Sequence, residues 1–212
     1  MRTGLRILTA ITCLLPLAAL AQEGWAPVER IETYPVTGKS GIALYESIGE
    51  NGPKVGIGRA IAYTDYKLTW RRDYRPQAGG CVLAAATPNL LITYRLPQPS
   101  NDLPPATRRL WQTFIEGVEK HERVHGDIIL DVVKKIEAVS VGLTVADDPD
   151  CTKTRAELQR RLVPLAAELK QRSREFDRVE MSEGGNVHRL VLGLVNGGFP
   201  PAAMGEAAPA KP

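Results

Sequence analysis

The residues with the most chemical potential lie together at "HERVH", His121 to His125. Two of the chain's three histidines stand four apart, with Glu122 beside the first. On a helix, such positions lie one turn above the other and about 40° apart around the axis, so both imidazoles can reach one metal ion. Zn2+ takes nitrogen and carboxylate ligands in a tetrahedral set and, at catalytic sites, leaves one position to water. The ion lowers the pKa of that water from about 15.7 to about 7, so a neighbouring carboxylate can take its proton. Glu122 is placed for that step and for passing the proton to the leaving amine of a peptide. The spacing predicts His121 and His125 as metal ligands and Glu122 as the catalytic base. The competing reading is a histidine pair packed on an amphipathic helix, with Glu119, Arg123 and Asp127 as charged neighbours.

A third ligand is needed. A metzincin pattern would place it at Asp131, but that pattern needs a glycine where Ile128 stands to end the helix. Without it, Asp131 lies about 120° around the axis from His125. A gluzincin arrangement draws a carboxylate from the following helix instead. Glu168, Glu175, Asp177, Glu180 and Glu183 are available there, and Glu180 and Glu183 fall on that helix's apolar face. The third histidine, His188, reads as a surface residue.

The elements that must hold these side chains follow from periodicity. Leu110, Phe114, Val118, His121, His125, Ile128, Val132, Ile136 and Val139 recur at spacings of three and four, which predicts one long helix from Ala106 to near Gly142. Both histidines lie on its apolar stripe. After the turn "ADDPDCT", where Asp147 to Asp150 can cap, Leu158, Leu162, Leu165, Leu169, Phe176 and Val179 mark a second helix, with Pro164 as a possible kink. A short connection predicts an antiparallel helix pair.

The N-terminal half carries strand signals. Val28 to Gly38 is β-rich, and Pro35 suggests an edge strand. A short helix follows, capped by Ser40 and ended by Asn51-Gly52-Pro53. "GRAIAYTDYKLTWRRDYR" reads as one long strand or two short ones, and "CVLAAATPNLLITYRLP" as two short strands broken at Thr87-Pro88-Asn89. The expected fold is α+β: a small antiparallel sheet of three or four strands packed against the two long helices. "EGGNVHRLVLGLVNGGFP" adds a last strand or turn of helix, and the Pro/Ala-rich residues 199–212 read as a disordered tail.

The chain starts with a basic "MRTGLR", an apolar run and Ala19-Leu20-Ala21, the pattern of a signal peptide (1–21) cleaved before Gln22. This predicts an exported protein, periplasmic or secreted, folded as a single domain over 22–198. Of its 27 basic residues, Arg2 and Arg6 leave with the leader, so 25 stand against 24 acidic ones. That balance gives no support for a nucleic-acid or membrane-surface partner. No later segment is apolar enough to span a membrane. Cys13 also leaves with the leader, and in an oxidising compartment the remaining pair, Cys81 and Cys151, is expected to form a disulfide. With both cysteines bridged there is no nucleophilic thiol. "GKSG" at 38–41 lacks the rest of a phosphate-binding loop, and no serine-triad signature is present.

Taken in order, "TYPVTGKSGIALYESIGENGP", "AYTDYKLTWRRDY" followed by "GGCVL", "ITYRLP", "LWQTFIEGVEKHERVHGD" and "REFDRVEMSEGG" resemble the DUF922 family, also described as predicted secreted zinc-dependent proteases. The resemblance runs from about Ile31 to Gly185. It implies an exported α+β domain with a zincin-like helix, zinc ligands at His121 and His125, and a catalytic base at Glu122. The family commonly carries Tyr-Asp-x-x-Thr and then His-Gly near the end of the second helix. Here Phe176-Asp177 matches the first pair loosely, Glu180 stands where Thr would be, and no histidine precedes a glycine. The expected activity is hydrolysis of a peptide or protein substrate by a zinc-dependent metallopeptidase. The alternative is a non-catalytic exported binding or cell-envelope module that keeps the helix for packing or for zinc alone.

Overall fold

The structure is a computed structural model that describes residues 24–77 and 79–198. The proposed signal peptide and the C-terminal tail lie outside the described residues. The chain begins with strand β1 (Val28–Val36) and helix α1 (Gly41–Asn51). The side chain of Ser40 caps α1 by accepting from the Ala43 amide, and Gly52 ends the helix. A small hairpin, β2 (Lys54–Val55) and β3 (Gly58–Arg59), leads into β4 (Tyr63–Gln77) and β5 (Gly80–Pro99). Helix α2 (Pro105–Ser140), strand β6 (Thr144–Ala146), helix α3 (Thr152–Met181) and helix α4 (Asn186–Val195) complete the fold. Of the two readings of the last apolar segment, strand or turn of helix, the helical one is found.

The sheet is mixed, which corrects the expected antiparallel arrangement. β4 and β5 form a long antiparallel hairpin, and β6 also runs antiparallel to β5. β1 pairs with β5 in parallel, from Val28 opposite Leu91 to Val36 opposite Pro99. The order β1-β5-β4 inserts β5 between two strands that precede it. The end of β1 and the start of β4 both lie beside the last third of β5, so α1 and the β2–β3 hairpin link them at that end of the sheet. Alternation along a strand reports which face is buried but not the direction of its neighbour, so the sequence could not show the parallel pair. Pro35 does sit on an edge strand, as read.

β5 is one continuous strand, not two. Pro88 pairs with Trp70 of β4. On the other side of β5, β6 stops at Val82 and β1 starts at Leu91, so among the described residues no strand lies along that edge at Pro88. A proline is tolerated in a strand where its missing N–H has no ladder partner.

Helix α2 lies across the sheet. Leu90, Ile92 and Tyr94 of β5 pack against its Ile129 and Val133. Trp111, Phe114 and Val118 of the same helix join Leu44 and Ile48 of α1 and Leu190 and Leu194 of α4. The approach to β5 is closest at Gly126, where an added Cβ would stand 2.2 Å from the Tyr94 hydroxyl. The residue after the second histidine is thus a glycine because backbone meets phenol there.

Helix α3 runs antiparallel to α2, since Asp177 meets His121, Arg172 meets Asp131, and Glu168 meets Lys135. Pro164 lies inside α3 without ending it. The turn before α3 is built on two aspartates. Asp148 accepts from the amides of Lys153 and Thr154 and from the Thr154 hydroxyl at 2.7–3.0 Å, and Asp150 accepts from the Thr152 amide. The Cys81–Cys151 disulfide ties the start of β5 to the start of α3 across a separation of 70 residues.

Candidate metal centre

The site forms where the middle of α2 meets the last two turns of α3. His121 Nε2 and His125 Nε2 are 3.2 Å apart, and Asp177 Oδ1 lies 3.2 Å from the first and 2.9 Å from the second. The two imidazoles come from one helix and the carboxylate from the next, so the antiparallel crossing assembles the triangle. Phe176 stacks on the His121 ring at 4.6 Å between centroids and meets the His125 ring edge-on at 5.3 Å. His121 is buried, His125 is partly buried, and the Asp177 side chain is 42% exposed, so the site opens toward solvent on the α3 side.

These three residues can hold a metal ion. Donor atoms about 2.0–2.2 Å from one ion at tetrahedral angles stand about 3.3–3.6 Å apart. The observed separations of 2.9–3.2 Å are a few tenths of an ångström tighter. A carboxylate oxygen facing two imidazole nitrogens is held either by N–H donors of the rings or by a cation that all three atoms share. The chemistry of the set, two imidazoles and one carboxylate, suits a divalent first-row ion.

The protonation equilibria reflect the same geometry. Burial alone would lower the proton affinity of His121, but the Asp177 hydrogen bond and the nearby charges of Glu122, Asp177 and Glu180 raise it. Burial would raise Asp177, yet its hydrogen bonds with His121 and His125 hold it well below the usual carboxylate range.

Glu122 is buried and faces the sheet. The Thr64 hydroxyl of β4 stands 2.6 Å from its Oε2 and 3.0 Å from its backbone carbonyl. A hydroxyl has one proton to give, so toward an ionised Glu122 it donates to the carboxylate. Burial pushes the Glu122 carboxyl up, and the Thr64 hydrogen bond and the two histidines only partly offset that. Thr64 had no sequence signal. It lies 58 residues from Glu122 and reaches it only because β4 packs beside α2.

The remaining carboxylates sort cleanly. Asp177 takes the position facing both histidines. Glu180, favoured for its place on the apolar face, instead lies 3.7 Å from His121 through Nδ1, the other ring nitrogen. Glu183 is exposed. Glu168 pairs with Lys135 and Arg172, and Glu175 with Arg178. Asp131, discounted from its angle, pairs with Lys135 and Arg172 and so joins α2 to α3 below the site. The charged neighbours of the motif also have an account. Arg123 pairs with Glu119 and with Glu29 of β1, and its guanidinium covers the Tyr94 ring. His188 accepts from the Gly184 amide and closes the turn between α3 and α4.

Fold and site together define an α+β domain with a candidate His-His-Asp metal centre on a helix pair. The chain belongs to the DUF922 family, described as a bacterial protein of unknown function, whose model matches residues 31–185. Neither the curated proteins nor the solved structures gave a match. Among the described residues no helix is long and apolar enough to cross a membrane. That observation and the disulfide are compatible with export.

Proposed function

We propose that the protein is an exported zinc-dependent metallopeptidase, with His121, His125 and Asp177 as the metal ligands and Glu122 as the general base. The observation that carries this reading is the convergence of two Nε2 atoms and one carboxylate oxygen within 3.2 Å, one residue from a buried glutamate. When bound, zinc supplies Lewis acidity, polarising a carbonyl and lowering the pKa of water to about 7. His121 and His125 offer neutral nitrogens, and Asp177 contributes one negative charge to the set. Glu122 follows His121 directly, and burial raises the proton affinity of its carboxyl. A base so tuned can accept a proton from water at neutral pH and deliver it to a leaving amine. The Thr64 hydroxyl fixes one carboxylate oxygen and leaves Oε1 for that exchange. Access is from the exposed Asp177 side.

The experiment is elemental analysis with activity on a casein or mixed-peptide substrate. Purified mature protein should carry near-stoichiometric zinc, and the His121→Ala, His125→Ala double variant none. Glu122→Gln should keep the zinc and lose proteolysis. Absence of zinc under zinc-replete conditions sinks the reading. A second reading, zinc binding without hydrolysis, is favoured by the way Thr64 turns Glu122 toward the sheet. Zinc-loaded wild-type protein without proteolysis on any substrate would select it.

A further inference from the structure

The two histidines present the same atom to the site. Nε2 of each converges on Asp177, so a metal ion held there leaves each neutral imidazole with its one proton on Nδ1. That proton needs an acceptor wherever water cannot reach it. The His125 side chain is 12% exposed and keeps contact with solvent. The His121 side chain is 3% exposed, and its Nδ1 is sealed from solvent with no hydrogen-bond partner among the described residues.

One acceptor stands nearby. Glu180 Oε2 lies 3.7 Å from His121 Nδ1, about half an ångström beyond a normal N–H···O contact. Its side chain is 19% exposed, and no lysine or arginine pairs with it among the described residues. It sits one turn beyond Phe176, which covers the His121 ring face. The last turns of α3 thus address three parts of the α2 site: Phe176 the ring face, Asp177 the Nε2 edge, Glu180 the Nδ1 edge.

We propose that Glu180 is the positioning carboxylate of His121. It accepts the hydrogen bond from Nδ1–H once Nε2 is engaged by metal, which fixes the tautomer and ring orientation and raises the basicity of the ligand nitrogen. The inference rests on the metal-binding reading of the site and is independent of whether the site hydrolyses peptides. It also accounts for a carboxylate on the apolar face of α3 that is not part of the ligand triangle.

The test uses zinc alone as the probe. Apparent zinc affinity of the mature chain is measured by chelator competition for wild type, E180Q and E180L, with apo-protein melting recorded for each. E180L should bind one zinc at saturation with affinity about 10- to 100-fold weaker, and E180Q, which keeps an acceptor oxygen, should fall between it and wild type. In the zinc-loaded wild type, the His121 Nδ1–H proton should be visible by NMR and protected from exchange, and E180L should lose that protection. If E180L does not fold, the loss in the isosteric E180Q decides. Affinity within twofold of wild type in both variants, or an unchanged Nδ1–H signal, overturns the proposal while leaving the metal site standing. Loss of all zinc at saturation would make Glu180 a direct ligand and overturn it too. A wild-type protein that binds no zinc removes the metal-binding reading and this inference together.

Discussion

Asp177 Oδ1 lies 2.9 Å from His125 Nε2, although 52 residues separate them in the chain. The same oxygen is 3.2 Å from His121 Nε2. One carboxylate on α3 therefore completes what two histidines on α2 begin, and the positions it displaces can be tested directly.

Asp177→Ala should reduce zinc stoichiometry at micromolar metal to well below one, while Glu183→Gln should leave it unchanged. Asp177 faces both imidazoles, and Glu183 is exposed near the end of α3. Metal analysis after dialysis reads both. Equal zinc in the two variants would remove Asp177 from the ligand set.

Thr64→Val should lower kcat with little change in KM or zinc content, and Thr64→Ser should restore it. The hydroxyl is 2.6 Å from a buried carboxylate oxygen, and a hydrogen bond to a charged group contributes about 1.5–3 kcal/mol, or roughly 10- to 100-fold. Steady-state kinetics on zinc-loaded protein checks the split.

The Cys81–Cys151 bridge closes a loop of 70 residues in sequence separation, for which chain entropy gives about 4 kcal/mol. A Cys81→Ser, Cys151→Ser double variant should show a clearly lower urea midpoint. Thiol titration of the denatured chain from Gln22 onward, without reductant, should find no free thiol.

Acid should loosen the start of α3. Burial would raise the Asp148 carboxyl, but the Thr154 hydroxyl and the amides of Thr154 and Lys153 outweigh it and hold it down to about 2. A lowered folded value means the cap contributes its full stability above the unfolded value of about 3.9 and loses it as pH falls through the folded one. Asp148→Asn should lower the melting temperature at pH 7 and narrow its difference from wild type near pH 2. A constant difference across that window would remove the carboxylate charge from the account.

Gly126→Ala should destabilise the domain by about 1–3 kcal/mol, the usual cost of overpacking. The added methyl would meet the Tyr94 hydroxyl at 2.2 Å and push α2 away from β5. Pairing it with Tyr94→Phe should recover part of the loss in a denaturant titration, because the phenol oxygen is the atom in the way.

Much of this molecule was legible in its residues. The three-and-four spacing of Phe114, Val118, His121, Ile128 and Val132 determined the long helix, because one side of a helix must be apolar to pack. Ser40, Gly52 and Asp148 to Asp150 marked helix ends by local hydrogen-bond chemistry, which needs no distant partner. The spacing of His121 and His125 placed two donors on one face for the same local reason. The pairing of Cys81 with Cys151 was expected from their number once Cys13 is assigned to the proposed leader.

Tertiary structure decided the rest. The direction of β1 depends on how α1 carries the chain across one end of the sheet, and strand alternation is blind to it. The choice of Asp177 over Glu180 depends on how α3 rolls against α2. The two residues lie three apart, about 60° around the axis, and periodicity ranks them by average burial, not by what they face. The Phe176-Asp177 pair was a sequence signal for the turn whose carboxylate faces both histidines. Thr64 became the partner of Glu122 only when β4 packed beside α2. The sequence thus determined what each helix could offer, and the helix crossing and strand order decided which offers meet.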